Sequence, residues 1–334
     1  MATFAPHTRF LLHLHHSRLH PHAYQFRNVP SIYRAQHTHT HTPRTPTRLK
    51  LPPTLSLFVA VSGLIYYAAT LHISPQPKTL NPQTFTVYTL TSKTPVATSP
   101  ISHTTIFSLR PVHPPDQQLP FGEGILSVQI KQPQLQIARS YTPLPNAGDG
   151  EGEEDGALRF LVKREPGGEM TRYLFSLGLE DKVFLRGPMV EYIFPPAGEV
   201  DKTLFIAGGT GIAPALQLAA NSPSQKTEIF WAVRNKAETE GAMAEGVERL
   251  IRKTKGKVSV KVFVDAEGGI GVRDVERGME GGKVAVVVSG PEGFIKWVAG
   301  EKVWKDGREE QGKLGGVVRR VLEKRGGEVS VFKL

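Results

Sequence analysis

A glycine-rich turn that stands directly between an apolar strand and a helix is the feature that most constrains how this chain can fold. The β-branched and apolar run Thr203–Ala207 leads without a break into Gly208-Gly209-Thr210-Gly211-Ile212-Ala213-Pro214. Glycine lets a ligand approach the backbone, Pro214 suits the first turn of a helix, and the free N–H groups at a helix start favour phosphate. The run therefore predicts a strand–turn–helix unit with a phosphate site, although such a turn is often only a turn.

The chain that follows this turn alternates between strand and helix patterns. Apolar, β-branched runs predict the strands, and longer amphipathic runs predict the helices between them. A second glycine-rich turn, Ser289-Gly290-Pro291-Glu292-Gly293, follows the last of these strands. The alternation predicts an α/β doubly wound parallel sheet over residues 199–334. The predicted strands are 203–207, 228–233, 258–264 and 284–288, and the predicted helices are 212–220, 242–254 and 294–302.

Residues 79–196 have a different pattern, in which short alternating or β-branched runs are separated by proline and glycine. Such runs predict strands, and full pairing of an antiparallel sheet removes its exposed edges. We therefore expect an antiparallel β-barrel or a sandwich in this part of the chain. The predicted strands are Phe85–Leu90, Thr104–Leu109, Ile125–Ile130, Leu158–Lys163 and Lys182–Arg186.

Two short motifs inside this β-rich part have the residue types of a ligand site. In Arg139-Ser140-Tyr141-Thr142, the cation and the aromatic ring share one face of a strand, and the Thr142 hydroxyl follows them. In Gly167-Gly168-Glu169-Met170-Thr171, glycines open a short helix whose first N–H groups favour phosphate. Taken alone, each motif also fits an ordinary strand end or helix start.

The order and spacing of these motifs resemble the ferredoxin-NADP reductase superfamily, and most closely its NADH-cytochrome b5 reductase branch. The resemblance rests on Arg139-Ser140-Tyr141-Thr142, the Gly168–Thr171 segment, the turn at Gly208–Pro214 and the triplet Ser289-Gly290-Pro291. It implies an antiparallel β-barrel FAD-binding domain followed by an α/β NAD(P)-binding domain, with FAD and NADH or NADPH as cofactors. A hydride would pass from the nicotinamide to FAD, and the electrons would then pass to an acceptor.

The resemblance also implies a role for each residue. Arg139 would hold the FAD pyrophosphate, Tyr141 would pack on the flavin ring, and Thr142 would hydrogen-bond near flavin N5. Ser289 stands beside the nicotinamide, where the family commonly has cysteine, so that the resemblance places Thr142 and Ser289 at the reacting atoms. The other implied cofactor-binding residues are Ser140, Lys163, Gly168, Met170, Thr171, Gly208, Gly209, Thr210, Gly211, Gly290, Pro291 and Gly293.

Composition excludes several other kinds of redox site. The chain has no cysteine, which excludes disulfides, thiolate zinc sites, Cys-ligated iron–sulfur clusters and covalent haem attachment. Its formal charge is +10, but the seven cations before Lys78 leave only 34 Lys and Arg against 31 acidic residues in the rest. The basic balance therefore does not predict a nucleic-acid partner. The histidine runs near the N-terminus lack a framework that would fix their geometry, and no metal site is predicted.

The N-terminal part of the chain has the features of a targeting segment and an anchor. Residues 1–50 are rich in arginine, histidine, serine and threonine without any acidic residue, which is typical of a mitochondrial transit peptide but is shared by polar disordered arms. Residues 54–73 contain the uncharged run Leu55–Leu71, which favours a transmembrane helix over a buried core helix. Because cations lie only on its N-terminal side, we expect one pass through the mitochondrial inner membrane, with the following domains in the intermembrane space.

These features, together with the tail from Gln311, resemble the fungal mitochondrial flavoproteins that assist haem attachment to cytochrome c. That resemblance implies haem or a haem protein as the electron acceptor, with cytochrome c or its precursor and a haem ligase as partners. Two alternatives stay open: a mitochondrial NADH-cytochrome b5 reductase, and a flavin-stabilised assembly factor that does not turn over. The triplet Arg234-Asn235-Lys236 fits a reader of the NADPH 2′-phosphate or an ordinary surface turn, so the choice between NADH and NADPH stays open.

Overall fold

The computed structural model of the protein describes residues 79–96, 103–113, 122–145, 156–196, 198–222, 226–325 and 329–334. The predicted transit segment 1–50 and the predicted membrane helix 54–73 lie outside these residues. Within the described residues, no helix combines the length and the apolar character that a membrane span requires.

The first part of the described chain forms one antiparallel sheet of six strands and a short helix. These elements are β1 (Thr86–Pro95), β2 (Thr104–Pro111), β3 (Gly124–Gln132), β4 (Ile137–Tyr141), β5 (Leu158–Lys163), α1 (Glu169–Ser176) and β6 (Lys182–Ile193). The strand order is β4-β3-β6-β1-β2-β5, and a bridge between Pro143 and Phe160 joins the chain after β4 to the opposite edge strand. The sheet therefore comes close to closing on itself, and the expected barrel-like architecture is confirmed.

The second part forms a parallel sheet with helices on both faces. Its strand order is β13-β10-β7-β8-β9, and all four strand pairs are parallel. This arrangement confirms the predicted doubly wound α/β fold. The strands of this sheet are β7 (Lys202–Gly208), β8 (Lys226–Val233), β9 (Val258–Val264), β10 (Val284–Ser289) and β13 (Val329–Lys333). The helices are α2 (Ile212–Asn221), α3 (Gly241–Lys253), α4 (Val272–Gly278), α5 (Glu292–Ala299) and α6 (Gly316–Arg325).

Two details of the second part differ from the sequence-based expectation. The helix predicted over 294–302 ends at Ala299, because Gly300 has a φ of +90° and leaves the helical conformation. The chain then forms a small exposed hairpin of β11 (Val303–Lys305) and β12 (Arg308–Glu310), which the sequence pattern did not predict. The chain after the hairpin forms α6 and then β13, and β13 completes the sheet beside β10.

A continuous apolar core joins the two parts of the fold. Ile125 and Leu161 of the antiparallel sheet lie in the same buried cluster as Leu216 of α2 and Met243 of α3. At the start of α3, a Cβ added to Gly241 would lie 2.5 Å from the Val96 carbonyl oxygen, so the two backbones are already in contact. Because this core fixes α2 against the antiparallel sheet, it also fixes the turn at which α2 begins.

Two buried threonine hydroxyls in the parallel sheet give a test of its packing. Thr203 and Thr227 face each other across β7 and β8, and within the described residues neither hydroxyl has a hydrogen-bond partner. Such a buried group costs about 1–3 kcal/mol, and valine has nearly the same shape. We expect Thr227→Val to raise the free energy of unfolding by about 1 kcal/mol in urea denaturation. Thr254→Val is the control: its hydroxyl donates to the Leu250 carbonyl, so this variant should not gain stability. A destabilised Thr227→Val would contradict the expectation.

Candidate functional site

The glycine-rich turn lies at the carboxyl end of β7, as the sequence predicted, and takes the form of a single 3₁₀ turn at Gly209–Gly211. Gly209 has a φ of +55°, and an added Cβ would meet nothing within 4 Å, so the backbone there borders open space. At Gly211, an added Cβ would lie only 2.5 Å from the Ser289 carbonyl oxygen. The turn is therefore open on one side, where a ligand can approach it, and packed against the end of β10 on the other.

The turn after β10 meets the turn after β7 directly. Ser289 is buried and lies opposite Ala207 in the register of β7 and β10. A Cβ added to Gly290 would lie 3.1 Å from Gly208 Cα. The structure thus brings together the two predicted dinucleotide-binding segments, including Ser289. The roles of these residues in binding stay predictions.

Two aromatic residues that the sequence did not single out support the turn. The Phe294 ring of α5 lies against Gly208 and Gly290, whose missing side chains leave room for it. The Trp231 indole Nε1 donates a hydrogen bond of 2.9 Å to the Gly209 carbonyl. Trp231 is buried in the middle of β8, where its ring fills the core while its N–H needs a partner. The conformation of the turn therefore depends on the sheet behind it.

The predicted flavin motif lies on β4, at the edge of the antiparallel sheet. Arg139 pairs with Ile130 and Tyr141 with Val128, which places both on the face that packs against α1. Ser140 pairs with Gln129 and lies on the opposite face. The alternation of the strand therefore places the Ser140 side chain on the face opposite the Arg139 and Tyr141 side chains, and its role in cofactor binding stays a prediction.

The polar groups of the motif are available to a ligand. The only hydrogen bond of the Arg139 guanidinium within the described chain goes to the Ala138 carbonyl, and the side chain is exposed. The Thr142 hydroxyl is half-buried and has no protein partner among the described residues. Tyr141 packs edge-on against Phe160, with ring centroids 6.4 Å apart, and burial raises the pKa of Tyr141 to about 12 although the Arg139 charge lowers it. Tyr141 is thus a neutral, fixed ring at neutral pH.

The second predicted flavin segment borders a cavity of about 260 Å³ at the start of α1. Gly167 has a φ of +77°, and an added Cβ would meet nothing there, so the cavity reaches the backbone. The sequence missed the basic side chains around it, which the pairing of β2 with β5 brings together. The lining residues are His103, Arg164, Glu165, Pro166, Gly167, Gly168 and Arg172. Cationic groups beside a glycine turn and a helix start suit a phosphate group.

Three predicted FAD ligands have side-chain partners within the protein. The Thr171 hydroxyl donates to the Gly168 carbonyl at 3.1 Å and accepts from Glu165 N at 3.3 Å. The Met170 side chain is buried in the barrel core, and the Lys163 ammonium bonds to Glu238 at 3.0 Å. The FAD-binding roles of Lys163, Met170 and Thr171 stay predictions. The backbone N–H groups of Met170 and Thr171, in the first turn of α1, remain free of intrahelical partners and can face a phosphate.

A second tyrosine, outside the site, gives a test of the barrel core by pH. Tyr88 is only 3% exposed, and burial raises its pKa to about 12. Because the pKa of Tyr88 is higher in the folded state, its contribution to the free energy of unfolding is fully present below pH 10. This contribution is lost as the pH rises from 10 to 12. At pH 11 we expect Tyr88 to account for a loss of about 1.4 kcal/mol, so that between pH 8 and pH 11 the Tyr88→Phe variant should lose about that much less stability than the wild type. Urea unfolding at pH 8 and pH 11 measures it, and equal losses in both proteins would contradict the expectation.

Comparison with known proteins agrees with this geometry. Residues 88–194 match the family described as the oxidoreductase FAD-binding domain. The NADH-cytochrome b5 reductase 2 of Mycosarcoma maydis is 28% identical over 214 residues, which cover 60% of this chain and 57% of the relative. The protein of the same name from Kluyveromyces lactis is 29% identical over 195 residues, which cover 54% of this chain and 63% of the relative. The chain thus spans less than two thirds of these relatives.

Solved structures show the same fold. The cytochrome b5 reductase domain of Ulva prolifera nitrate reductase covers 77% of this chain and is itself covered completely, with a TM-score of 0.56 and 21% identity. The CS-b5R domains of human Ncb5or, solved in the NAD⁺ form, cover 74% of this chain with a TM-score of 0.52 and 20% identity.

The fold is an antiparallel barrel joined to a doubly wound α/β domain, and each of the two carries one of the predicted motif clusters. Residues 88–194 are therefore similar to the FAD-binding domain of oxidoreductases, and the similarity to NADH-cytochrome b5 reductases extends beyond these residues. The family match and the reductase relatives support FAD and NAD(P)H as the cofactors. The chain fits FAD, because β4 carries an exposed arginine and a half-buried tyrosine and contacts α1, whose start borders a basic cavity.

Proposed function

We propose that this protein is an FAD-dependent NAD(P)H oxidoreductase that passes electrons to a haem protein. One observation carries the proposal: the glycine turn at Gly209–Gly211 lies in contact with β5 of the FAD-binding domain. The bridge between Pro143 and Phe160 brings the end of the β4 motif to β5, so a dinucleotide at the turn and a flavin on the β4 motif would lie on neighbouring surfaces. Holding two reactants in a fixed geometry accounts for much of the rate of such transfers.

The residues of this chain bind and orient the cofactors and need not take part in proton transfer. Arg139 and the first turn of α1 supply positive charge and N–H groups to phosphates. Tyr141 offers a neutral ring face, and Thr142 offers a hydroxyl next to it. FAD, when bound, supplies the chemistry that links a two-electron donor to a one-electron acceptor.

The ion pair of Lys163 and Glu238 contributes to this arrangement from both domains. Lys163 ends β5, Glu238 lies in the segment after β8, and their side chains are 24% and 8% exposed. The pair therefore links the end of β5 in the barrel to the α/β domain. This contact gives Lys163 a structural role at the domain boundary.

The proposal also concerns which haem protein accepts the electrons. The relatives carry the name NADH-cytochrome b5 reductase, which favours cytochrome b5 as the haem partner. The transit-like leader and the predicted anchor favour a second role, in haem attachment to cytochrome c at the mitochondrial inner membrane. In that role, the acceptor is haem or cytochrome c together with its ligase, and the domains face the intermembrane space.

The test uses the full chain purified in detergent. We would measure the bound FAD and then mix the protein anaerobically with NADH or NADPH, following flavin absorbance. Ferric cytochrome b5, cytochrome c or free haem is added next, and haem reduction is recorded. Flavin bleaching followed by haem reduction supports the proposal, and the preferred acceptor separates the two roles. Bound FAD that neither donor reduces would overturn the proposal in favour of an assembly factor without turnover.

A further inference from the structure

Gln217 is a polar residue buried completely in the boundary between the two domains. It lies on α2, one and a half turns after the glycine turn, within a helix that is otherwise almost entirely apolar. Its side chain leaves the α/β domain and reaches the backbone of the FAD-binding domain. The Oε1 atom accepts a hydrogen bond from Leu126 N at 2.5 Å. The Nε2 atom donates to the Leu126 carbonyl at 3.3 Å and to the Pro143 carbonyl at 3.1 Å.

The Gln217 amide lies where β3 and the chain after β4 diverge, and this position explains its hydrogen bonds. The pairing of β3 with β4 ends at Val128 and Tyr141, and the same register would continue with Ser127 opposite Thr142 and Leu126 opposite Pro143. Pro143 has no N–H and instead forms the bridge to Phe160 of β5. The Gln217 amide fills the gap between the two diverging segments and bonds to both. A glutamine suits this position because its amide has both an acceptor and two donors.

Thr142, the last residue of the flavin motif, directly precedes Pro143, whose carbonyl accepts a hydrogen bond from Gln217. The helix that carries Gln217 begins at the dinucleotide turn, and the Gln217 side chain donates this hydrogen bond to the Pro143 carbonyl. A shift of α2 is therefore transmitted to the flavin motif through this buried amide as well as through the shared apolar core. Small displacements of about 1 Å between reacting groups can reduce a rate by about 100-fold.

We propose that Gln217 is a positioning residue that sets the distance between the dinucleotide turn and the flavin motif. The inference rests on the proposed function, because it concerns hydride transfer between the two cofactors. Gln217 touches neither reacting group and acts through Leu126 and Pro143. Its loss should therefore lower the limiting rate of flavin reduction more than it changes the affinity for either cofactor.

Gln217→Met tests the proposal, because it keeps the length of the side chain and removes all three hydrogen bonds. We expect the limiting rate of FAD reduction by the preferred nicotinamide to fall at least 10-fold. The FAD content and the dissociation constant of the nicotinamide should stay within about twofold of the wild type. In the Gln217→Met variant, hydrogen exchange at the Leu126 amide should become at least 10-fold faster than in the wild type. Asn221→Ala is the control, since it removes an amide hydrogen bond within α2 that does not cross the domain boundary.

A second variant covers the case in which Gln217→Met does not fold. Gln217→Glu keeps the acceptor for Leu126 N but loses both donors, so the rate should fall while the Leu126 amide stays protected. An unchanged limiting rate in either folded, FAD-loaded variant would overturn the inference while the proposed function stands. If the wild-type flavin is not reduced by NADH or NADPH, the proposed function fails and this inference fails with it. A rate loss that Asn221→Ala shares equally would also overturn it.

Discussion

Arg139→Ala is expected to weaken FAD binding by about 10-fold to 100-fold without changing the stability of the protein free of FAD. The expected loss corresponds to a charge-assisted hydrogen bond to a phosphate, about 1.5–3 kcal/mol. The fold should be unaffected, because the exposed guanidinium bonds within the described chain only to the neighbouring Ala138 carbonyl. Fluorescence titration of the FAD-free protein with FAD gives the dissociation constant, and urea unfolding gives the stability.

Lys131→Ala is the matched control for this variant. Lys131 lies on β3, pairs with Ala138 and places its ammonium over the Phe85 ring, 5.2 Å from the centroid. It is therefore a nearby cation of the same sheet on the face opposite Arg139. Its removal should change FAD affinity by less than about twofold, because a long-range surface charge is screened by salt. An equal loss in both variants would show that general positive charge, rather than a contact from Arg139, attracts the cofactor.

The features that the sequence predicted correctly are those set by local pattern. The turn at Gly208–Gly211 could be placed because an apolar strand, glycines and a helix start follow one another within a few residues. The exposed hairpin of β11 and β12 could not, since all six of its strand residues are exposed and leave no apolar alternation to recognise. The one sequence feature that indicates this hairpin is its turn, Asp306-Gly307, where both residues have a positive φ.

The site itself was predicted in part. Arg139 and Tyr141 could be assigned to one face from strand alternation, and the same rule should have placed Ser140 on the other. The approach of His103 to Arg164 depends on the register of β2 with β5, which no local pattern reveals. Gln217 had a sequence signal, because it interrupts an otherwise apolar helix. Its partners lie more than 70 residues away and could be found only in the folded chain.

Gly211→Ala is expected to have the largest effect on the dinucleotide side of the site. The φ of Gly211 is −60°, so alanine fits its backbone conformation without strain. The added Cβ would nevertheless lie 2.5 Å from the Ser289 carbonyl oxygen and 2.9 Å from Gly290 N. Both are backbone atoms of β10 and its turn, so the clash can be relieved only by separating the two turns. Overpacking of this kind costs about 1–3 kcal/mol of stability.

The separation of the two turns in Gly211→Ala should lower the rate of flavin reduction as well as the stability. Displacing the two turns by about 1 Å is expected to lower the second-order rate constant of flavin reduction by about 100-fold. FAD content should be unchanged, because Arg139 and α1 lie on the other domain. Gly246→Ala provides the same substitution in the exposed middle of α3, where an added Cβ meets nothing within 4 Å. That control should gain up to about 1 kcal/mol of stability and keep the wild-type rate, because alanine favours the helix. If Gly211→Ala instead reduced its flavin as fast as Gly246→Ala, the close contact of the two turns would not govern dinucleotide binding.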